Sequence, residues 1–152
     1  MVEISYRKLT HDDLEIFIEL RINQLQEEGA DAVCDLKPAL HEYYKKHLID
    51  GTFVAWLAVY NEKIIGTSGM SFIEKPPYYG NITGKTGIIS SMYTLEEYRR
   101  NGAAKELLDR VVNEAKKYGC GTVQITASDV GVLLYADFGF VKNRNFMQYK
   151  LD

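Results

Sequence analysis

The chain has 152 residues, a length at which one domain commonly forms and hides roughly 70% of its unfolded surface. With 18 basic against 21 acidic residues it carries a net charge of -3, which excludes the basic stripe of a typical nucleic-acid binder. The N-terminal residues form no apolar signal core, and no apolar run approaches the roughly 20 residues of a membrane span. A soluble, cytoplasmic protein that binds neither nucleic acid nor membrane is the expectation.

Ile4-Ser5-Tyr6-Arg7 alternates as a short strand. Thr10 then stands where it can cap a helix, with Asp12 and Asp13 in the first turn. Leu14, Phe17, Ile18, Ile22 and Leu25 recur at helical spacing, and Gly29 is a stop. A second helix follows Pro38, with Leu40, Tyr43, Tyr44 and Leu48 on one face and Gly51 at its end. The period then changes. Phe53 to Tyr60 and Ile64 to Phe72 are β-prone runs joined by a turn at Asn61-Glu62-Lys63, which predicts a hairpin. Pro76 to Lys85 reads as a loop and Thr86 to Tyr93 as another strand.

The clearest helix comes next. Ala104, Leu107, Leu108, Val111, Val112 and Ala115 form an apolar stripe against a charged opposite face, and Gly119 and Gly121 bracket the exit. Thr122 to Ala127 reads as a strand, so strand, helix and strand suggest a parallel crossover. A short helix at Val132 to Phe138 and a terminal strand pair ending at Leu151 complete a single α/β domain over residues 1–152 with a mixed sheet.

Chemistry concentrates at Tyr98-Arg99-Arg100-Asn101-Gly102-Ala103-Ala104, between a strand and the amphipathic helix. A helix start leaves backbone N–H groups without internal partners and is electropositive, which suits a pyrophosphate. Gly102 has no Cβ to hold the ligand away, Ala103 and Ala104 add little bulk, and Arg99 and Arg100 add positive charge. A solvated basic turn before an ordinary helix is the plainer alternative.

The pattern Arg99-x-x-Gly102-x-Ala104 resembles the Gln/Arg-x-x-Gly-x-Gly/Ala signature of the GNAT acetyltransferase superfamily, at the strand-loop-helix junction where that family carries it. The approach from Met92 to Arg100 is also similar. Leu134-Tyr135-Ala136-Asp137-Phe138-Gly139-Phe140 resembles the family's Leu-Tyr-x-x-x-Gly-Phe, and the element order extends the likeness over nearly the whole chain. The resemblance implies an α/β fold with a central splayed parallel strand pair and helices on both faces. It also implies acetyl-CoA as co-substrate, and transfer of acetyl to a primary amine by direct attack in a ternary complex.

Residue roles follow from the same resemblance. The pyrophosphate of CoA is expected on the amides of Arg99, Arg100, Asn101, Gly102, Ala103 and Ala104. The pantetheine arm is expected along Met92, Tyr93 and Thr94, with Ser128 and Tyr135 completing the cofactor-binding set. A bulge expected at Ser90-Ser91 redirects the backbone. The backbone N–H of Met92 then serves as oxyanion donor, a type of contact worth roughly 3–4 kcal/mol. Tyr135 is the expected general acid for the departing thiolate, since a phenol with a reference pKa of about 10 stays protonated at neutral pH.

No dedicated base is named: Glu27, Glu28 and Glu74 are each candidates, and each also reads as a solvated carboxylate. Tyr43, Tyr44, Tyr78 and Tyr79 are candidates to line the acceptor pocket. The acceptor itself, a small molecule or a peptide amine, stays open, and a homodimer is compatible with the family. Cys34, His41 and His47 match no familiar zinc spacing, so no metal is expected. Gly80 to Thr86 resembles a P-loop but has one residue too few between its glycines. The rival to an enzyme is a non-catalytic acyl-CoA-binding sensor or regulatory module of the same fold, because fold does not fix function.

Overall fold

A strand, β1 (Ser5–Lys8), opens the computed structural model, which describes residues 3–143 and 145–151. Arg7 on this strand grips Asp13 through two hydrogen bonds of 2.7 and 2.9 Å. Asp13 also accepts the Thr10 backbone N–H at 2.9 Å. A short 3-10 turn, His11–Asp13, therefore precedes α1 (Leu14–Glu27) instead of the helix starting at Thr10 itself. The Arg7 guanidinium is the main reason the Asp13 carboxyl is held down to about 2.

The helix α2 (Lys37–Asp50) carries Pro38 in its first turn and ends at Gly51. Tyr44 of α2 packs edge-on against Phe17 of α1, at 5.1 Å between ring centroids.

The apolar run from Phe53 forms two strands, β2 (Phe53–Val54) and β3 (Trp56–Tyr60), and not the single strand expected. Ser68 gives the reason. Its Oγ accepts the Trp56 N–H at 3.1 Å and donates to the Trp56 carbonyl at 2.9 Å, and Ala55 meanwhile turns its carbonyl to Leu9. A two-residue turn at Asn61 and Glu62, both with positive φ, leads into β4 (Lys63–Glu74).

Next come β5 (Lys85–Thr94), α3 (Ala103–Tyr118), β6 (Thr122–Ile125) and α4 (Val132–Phe138). The sheet runs β1-β3-β4-β5-β6, with β2 also on β4. Every pairing is antiparallel except β5–β6, which is parallel as the crossover through α3 requires.

Helices cover both faces. On one, α1 and α2 bury Phe17, Ile18 and Tyr44 over Phe53 and Leu57. On the other, α3 buries Leu107, Leu108, Val111 and Ala115 over Met70 and Ile89. Each large aliphatic side chain buried there contributes roughly 1.5–3 kcal/mol. The buried stripe follows expectation at Leu107, Leu108, Val111 and Ala115, but at the first turn Ala103 is buried and Ala104 only half-buried, and Val112 is half-buried. The helix also approaches Gly87 closely, where a Cβ would stand 2.7 Å from the Met70 sulfur and 3.3 Å from the Ala115 Cβ.

The terminal strand pair expected up to Leu151 does not form. Among the described residues no strand follows α4, because a strand needs a partner to accept its backbone groups and the segment after Phe140 has none. Among the described residues, no helix is long and apolar enough to cross a membrane.

Candidate active site

The strand β5 is paired on both sides only through Ile89. Its parallel ladder with β6 ends at Ile89↔Ile125, while β5 itself continues to Thr94. The two strands thus diverge and leave one edge of β5 open. At the same place the antiparallel ladder with β4 slips: Gly69 faces Ser90 but Thr67 faces Tyr93, so β5 carries one extra residue. Ser91 has φ +58, which places the bulge where the sequence suggested it.

Ser91 and Met92 lie outside both ladders. Two side chains hold the bulge: Thr67 Oγ1 donates to the Ser91 carbonyl at 2.7 Å, and Gln24 Nε2 donates to the Met92 carbonyl at 3.1 Å. With its carbonyl committed to Gln24, Met92 keeps its N–H, like that of Ser91, outside both ladders at the bulge.

Neither Gln24 nor Thr67 was singled out from sequence. A signal existed for Gln24, which falls two helical turns beyond Phe17 on the buried face of α1. A buried amide there requires a partner.

The turn after β5 is built by its backbone. Arg100 has φ +66 and Gly102 φ +79, two left-handed residues flanking Asn101. The Asn101 side chain ties the turn back by donating to the carbonyls of Tyr98 at 3.0 Å and Arg99 at 3.3 Å. The first helical bond of α3 runs from Glu106 N–H to the Gly102 carbonyl at 3.1 Å. The amides of Gly102, Ala103, Ala104 and Lys105 therefore have no helical acceptor and form a concave set of donors at a positive helix end. Nothing stands within 4 Å of the place a Gly102 Cβ would occupy, so an anion can reach this backbone. The donor set fits a pyrophosphate.

The Arg99 side chain is engaged beside that donor set. Its Nε donates to the Thr94 carbonyl at 2.8 Å, its guanidinium pairs with Glu27 at 3.3 Å, and it lies 5.8 Å from the Tyr93 ring centroid. Tyr93 donates its hydroxyl to the same Glu27 at 2.9 Å, and burial, with Glu27 second, pushes that hydroxyl up from the ordinary value. Glu27 is thereby an organiser of the β5 end.

Tyr135 sits on α4, buried in the cluster that contains Met92, Ile89 and Leu108. Its ring lies over Gly131 and packs edge-on to Phe140 at 5.8 Å. Among the described residues its hydroxyl has no hydrogen-bond partner. Burial, and secondarily the charge of Glu28, push the hydroxyl up to about 12, so it holds its proton throughout the neutral range. Ser128 stands at the start of α4, where its Oγ accepts the Gly131 N–H at 3.2 Å and its carbonyl accepts Val132.

The four tyrosines named for an acceptor pocket separate. Tyr44 is core, Tyr43 bonds Ser71 across at 2.8 Å, and Tyr78 and Tyr79 are exposed on the loop before β5. That loop has a structural role as well. Asn81 is buried, and its Nδ2 donates to the Lys85 carbonyl at 2.9 Å and reaches Thr86 and Thr122 at 3.3 Å, joining the starts of β5 and β6. Glu74 ends β4 on the surface. Among the described residues no three His, Cys, Asp or Glu side chains converge to hold a metal.

Residues 16–140 match the model of the Acetyltransferase (GNAT) family. A predicted acetyltransferase from Clostridium acetobutylicum, solved with acetyl-CoA, is 34% identical and superposes with a TM-score of 0.93, covering 97% of this chain and 96% of that one. A GCN5-related N-acetyltransferase from Ralstonia eutropha JMP134 is 24% identical, with a TM-score of 0.89 and coverage of 97% and 99%. Glucosamine-6-phosphate N-acetyltransferase from Arabidopsis thaliana, 18% identical, shares the fold at a TM-score of 0.77 with 99% of each chain covered. No curated protein matches the chain in sequence. The open edge of β5, the donor turn before α3 and the matched residues 16–140 agree, and the chain belongs to the GNAT family of acetyltransferases.

Proposed function

We propose that this chain, as one domain over residues 1–152, moves the acetyl group of acetyl-CoA onto a primary amine by direct attack within a ternary complex in the cytoplasm. The observation that carries the reading is a protonated, unpartnered Tyr135 hydroxyl in the same cluster as Met92, beside the break in β5. The open β5 edge at Met92, Tyr93 and Thr94 offers backbone groups to an extended amide-bearing arm. The amides from Arg99 to Ala104 receive the pyrophosphate, with Arg99 contributing its backbone while its side chain stays on Glu27. Ser128 borders the arm from the start of α4.

In the reaction the amine nitrogen attacks the thioester carbonyl, and the Met92 N–H stabilises the charge that develops on its oxygen. The C–S bond breaks and Tyr135 donates its proton to the departing sulfur, to be reprotonated from water. The proton shed by the amine leaves through solvent, since Glu27 is already bound by Tyr93 and Arg99. Holding both reactants in line supplies most of the acceleration.

The test is acetyl-CoA turnover, read by thiol release, across a panel of primary amines. Tyr135→Phe is expected to lower kcat by roughly 100-fold, within the range of general acid catalysis, while acetyl-CoA binding is retained. Tight CoA binding with no turnover on any amine would favour the sensor module. No CoA binding would remove both readings.

A further inference from the structure

One side-chain amide joins the bulge of β5 to a carboxylate. Gln24 is buried on α1, at 7% exposure, and every hydrogen-bonding group of its amide is engaged. Arg21 Nη1 donates to its Oε1 at 3.0 Å, which fixes the way the amide faces. The two hydrogens on Nε2 then serve two acceptors, the Met92 carbonyl at 3.1 Å and Glu28 Oε1 at 3.3 Å. Glu28 is thereby held one amide away from the Met92 peptide.

Glu28 differs from its neighbour in what else it touches. Glu27 is taken by Tyr93 and Arg99, whereas among the described residues no cation pairs with the exposed Glu28. Glu28 also stands at the C-terminal cap of α1, the negative pole of that helix, and the last turn carries no basic residue. From Ile22 to Leu36 the chain holds Glu27, Glu28, Asp31 and Asp35 and neither lysine nor arginine. The charge of Glu28 is felt in turn at the Tyr135 hydroxyl. A carboxylate tied to the bulge, within electrostatic reach of the acid and free of any cation, suits a cationic ligand.

On the acetyl transfer proposed above, we infer that Glu28 receives the ammonium of the acceptor and that Gln24 positions it, so that the preferred acceptors are alkylammonium ions with no anionic group beside the nitrogen. The ammonium docks on the carboxylate, sheds one proton to solvent and meets the thioester as a free amine. An α-amino acid would bring its own carboxylate against Glu28 and the negative end of α1, a like-charge contact that costs binding.

Thiol release with n-butylamine and with glycine as acceptors at neutral pH reads the selection. The wild type is expected to show a KM for n-butylamine about tenfold below that for glycine. Glu28→Gln is expected to raise the n-butylamine KM about tenfold, the scale of one charge-assisted hydrogen bond, with kcat changed less than about threefold. Gln24→Met is expected to raise the same KM and also to lower kcat, because it releases the Met92 carbonyl along with Glu28. A second measurement does not need turnover. In nitrogen-15 spectra of the CoA-bound protein, n-butylammonium chloride is expected to shift the Gln24 side-chain NH2 pair saturably, and sodium chloride or the Glu28→Gln variant to abolish the effect. Turnover with an n-butylamine KM that Glu28→Gln leaves in place overturns the role of Glu28 and leaves acetyl transfer standing. Saturable shifts at Gln24 with no amine turned over would remove acetyl transfer and keep the ammonium site. A Gln24 pair unmoved throughout the titration overturns that site, whether or not the protein turns over.

Discussion

The donor turn before α3 and the helix α4 are built on different principles. At the turn, the groups that matter are backbone amides, and the side chains serve to shape the backbone, Gly102 by its φ and Asn101 by its hydrogen bonds to the Tyr98 and Arg99 carbonyls. On α4, one side-chain oxygen matters, and the backbone is an ordinary helix. Substitution should therefore act through conformation at Gly102 and through a single atom at Tyr135. The loss of roughly 100-fold in kcat for Tyr135→Phe, with binding retained, is the side-chain half of that contrast.

The backbone half is broken most directly at Gly102. At φ +79 a residue with a Cβ pays roughly 1–2 kcal/mol, and a β-branched one more. Because nothing stands within 4 Å of that Cβ, the penalty comes from φ alone. Gly102→Val is expected to weaken acetyl-CoA binding by about tenfold, the equivalent of about 1.4 kcal/mol, by turning the amides out of their concave set. Gly102→Asn, which tolerates the left-handed region, is expected to lose less than about threefold. Titration calorimetry with CoA separates the two. Equal losses would mean that side-chain bulk, and not φ, governs the turn.

How much of this was readable in advance divides along the same line. The α3 stripe, the Asn61–Glu62 turn and the α4 span from Val132 to Phe138 were legible because each depends on neighbours close in sequence. The bulge at Ser91 was legible only through family likeness. Its supports, Gln24 and Thr67, lie far from it along the chain, and no local pattern points across such a distance. The pairing of Arg99 with Glu27 was out of reach for the same reason, since α1 brings Glu27 in from far along the chain. The terminal strand pair expected up to Leu151 does not form among the described residues. Alternation specifies a half-buried strand but not the strand it pairs with, so a strand was expected where none forms within one chain.

A smaller effect sharpens the α4 side of the contrast. The Tyr135 hydroxyl is held at about 12, first by burial and then by the nearby Glu28 charge. The acid works while protonated, so a raised value extends activity upward in pH, and the alkaline limb falls above 10 instead of at the ordinary tyrosine value. Removing the Glu28 charge takes away the smaller cause and leaves burial in place. Glu28→Gln is thus expected to move the limb down toward 10 without reaching it. Ultraviolet titration of tyrosinate, taken as the difference between each protein and its Tyr135→Phe counterpart, reads the same shift without turnover. An unmoved limb would mean that burial alone holds the proton.

The smallest effect falls on Arg99, where charge arguments and geometry disagree. Were its guanidinium a pyrophosphate ligand, its removal would cost as much as the Gly102 change. The guanidinium is instead paired with Glu27 at 3.3 Å, with the two side chains 46% and 51% exposed. An exposed pair of this kind is worth roughly 0.2–1 kcal/mol, and its work is to hold the end of β5 against α1. Arg99→Ala is expected to raise the KM for acetyl-CoA by less than about threefold, in line with an exposed ion pair. Glu27→Gln should have a similar effect, and the double variant little more than either alone, because both remove one contact. Additive losses would show that Arg99 and Glu27 act separately, which would return the guanidinium to the phosphate side of the turn.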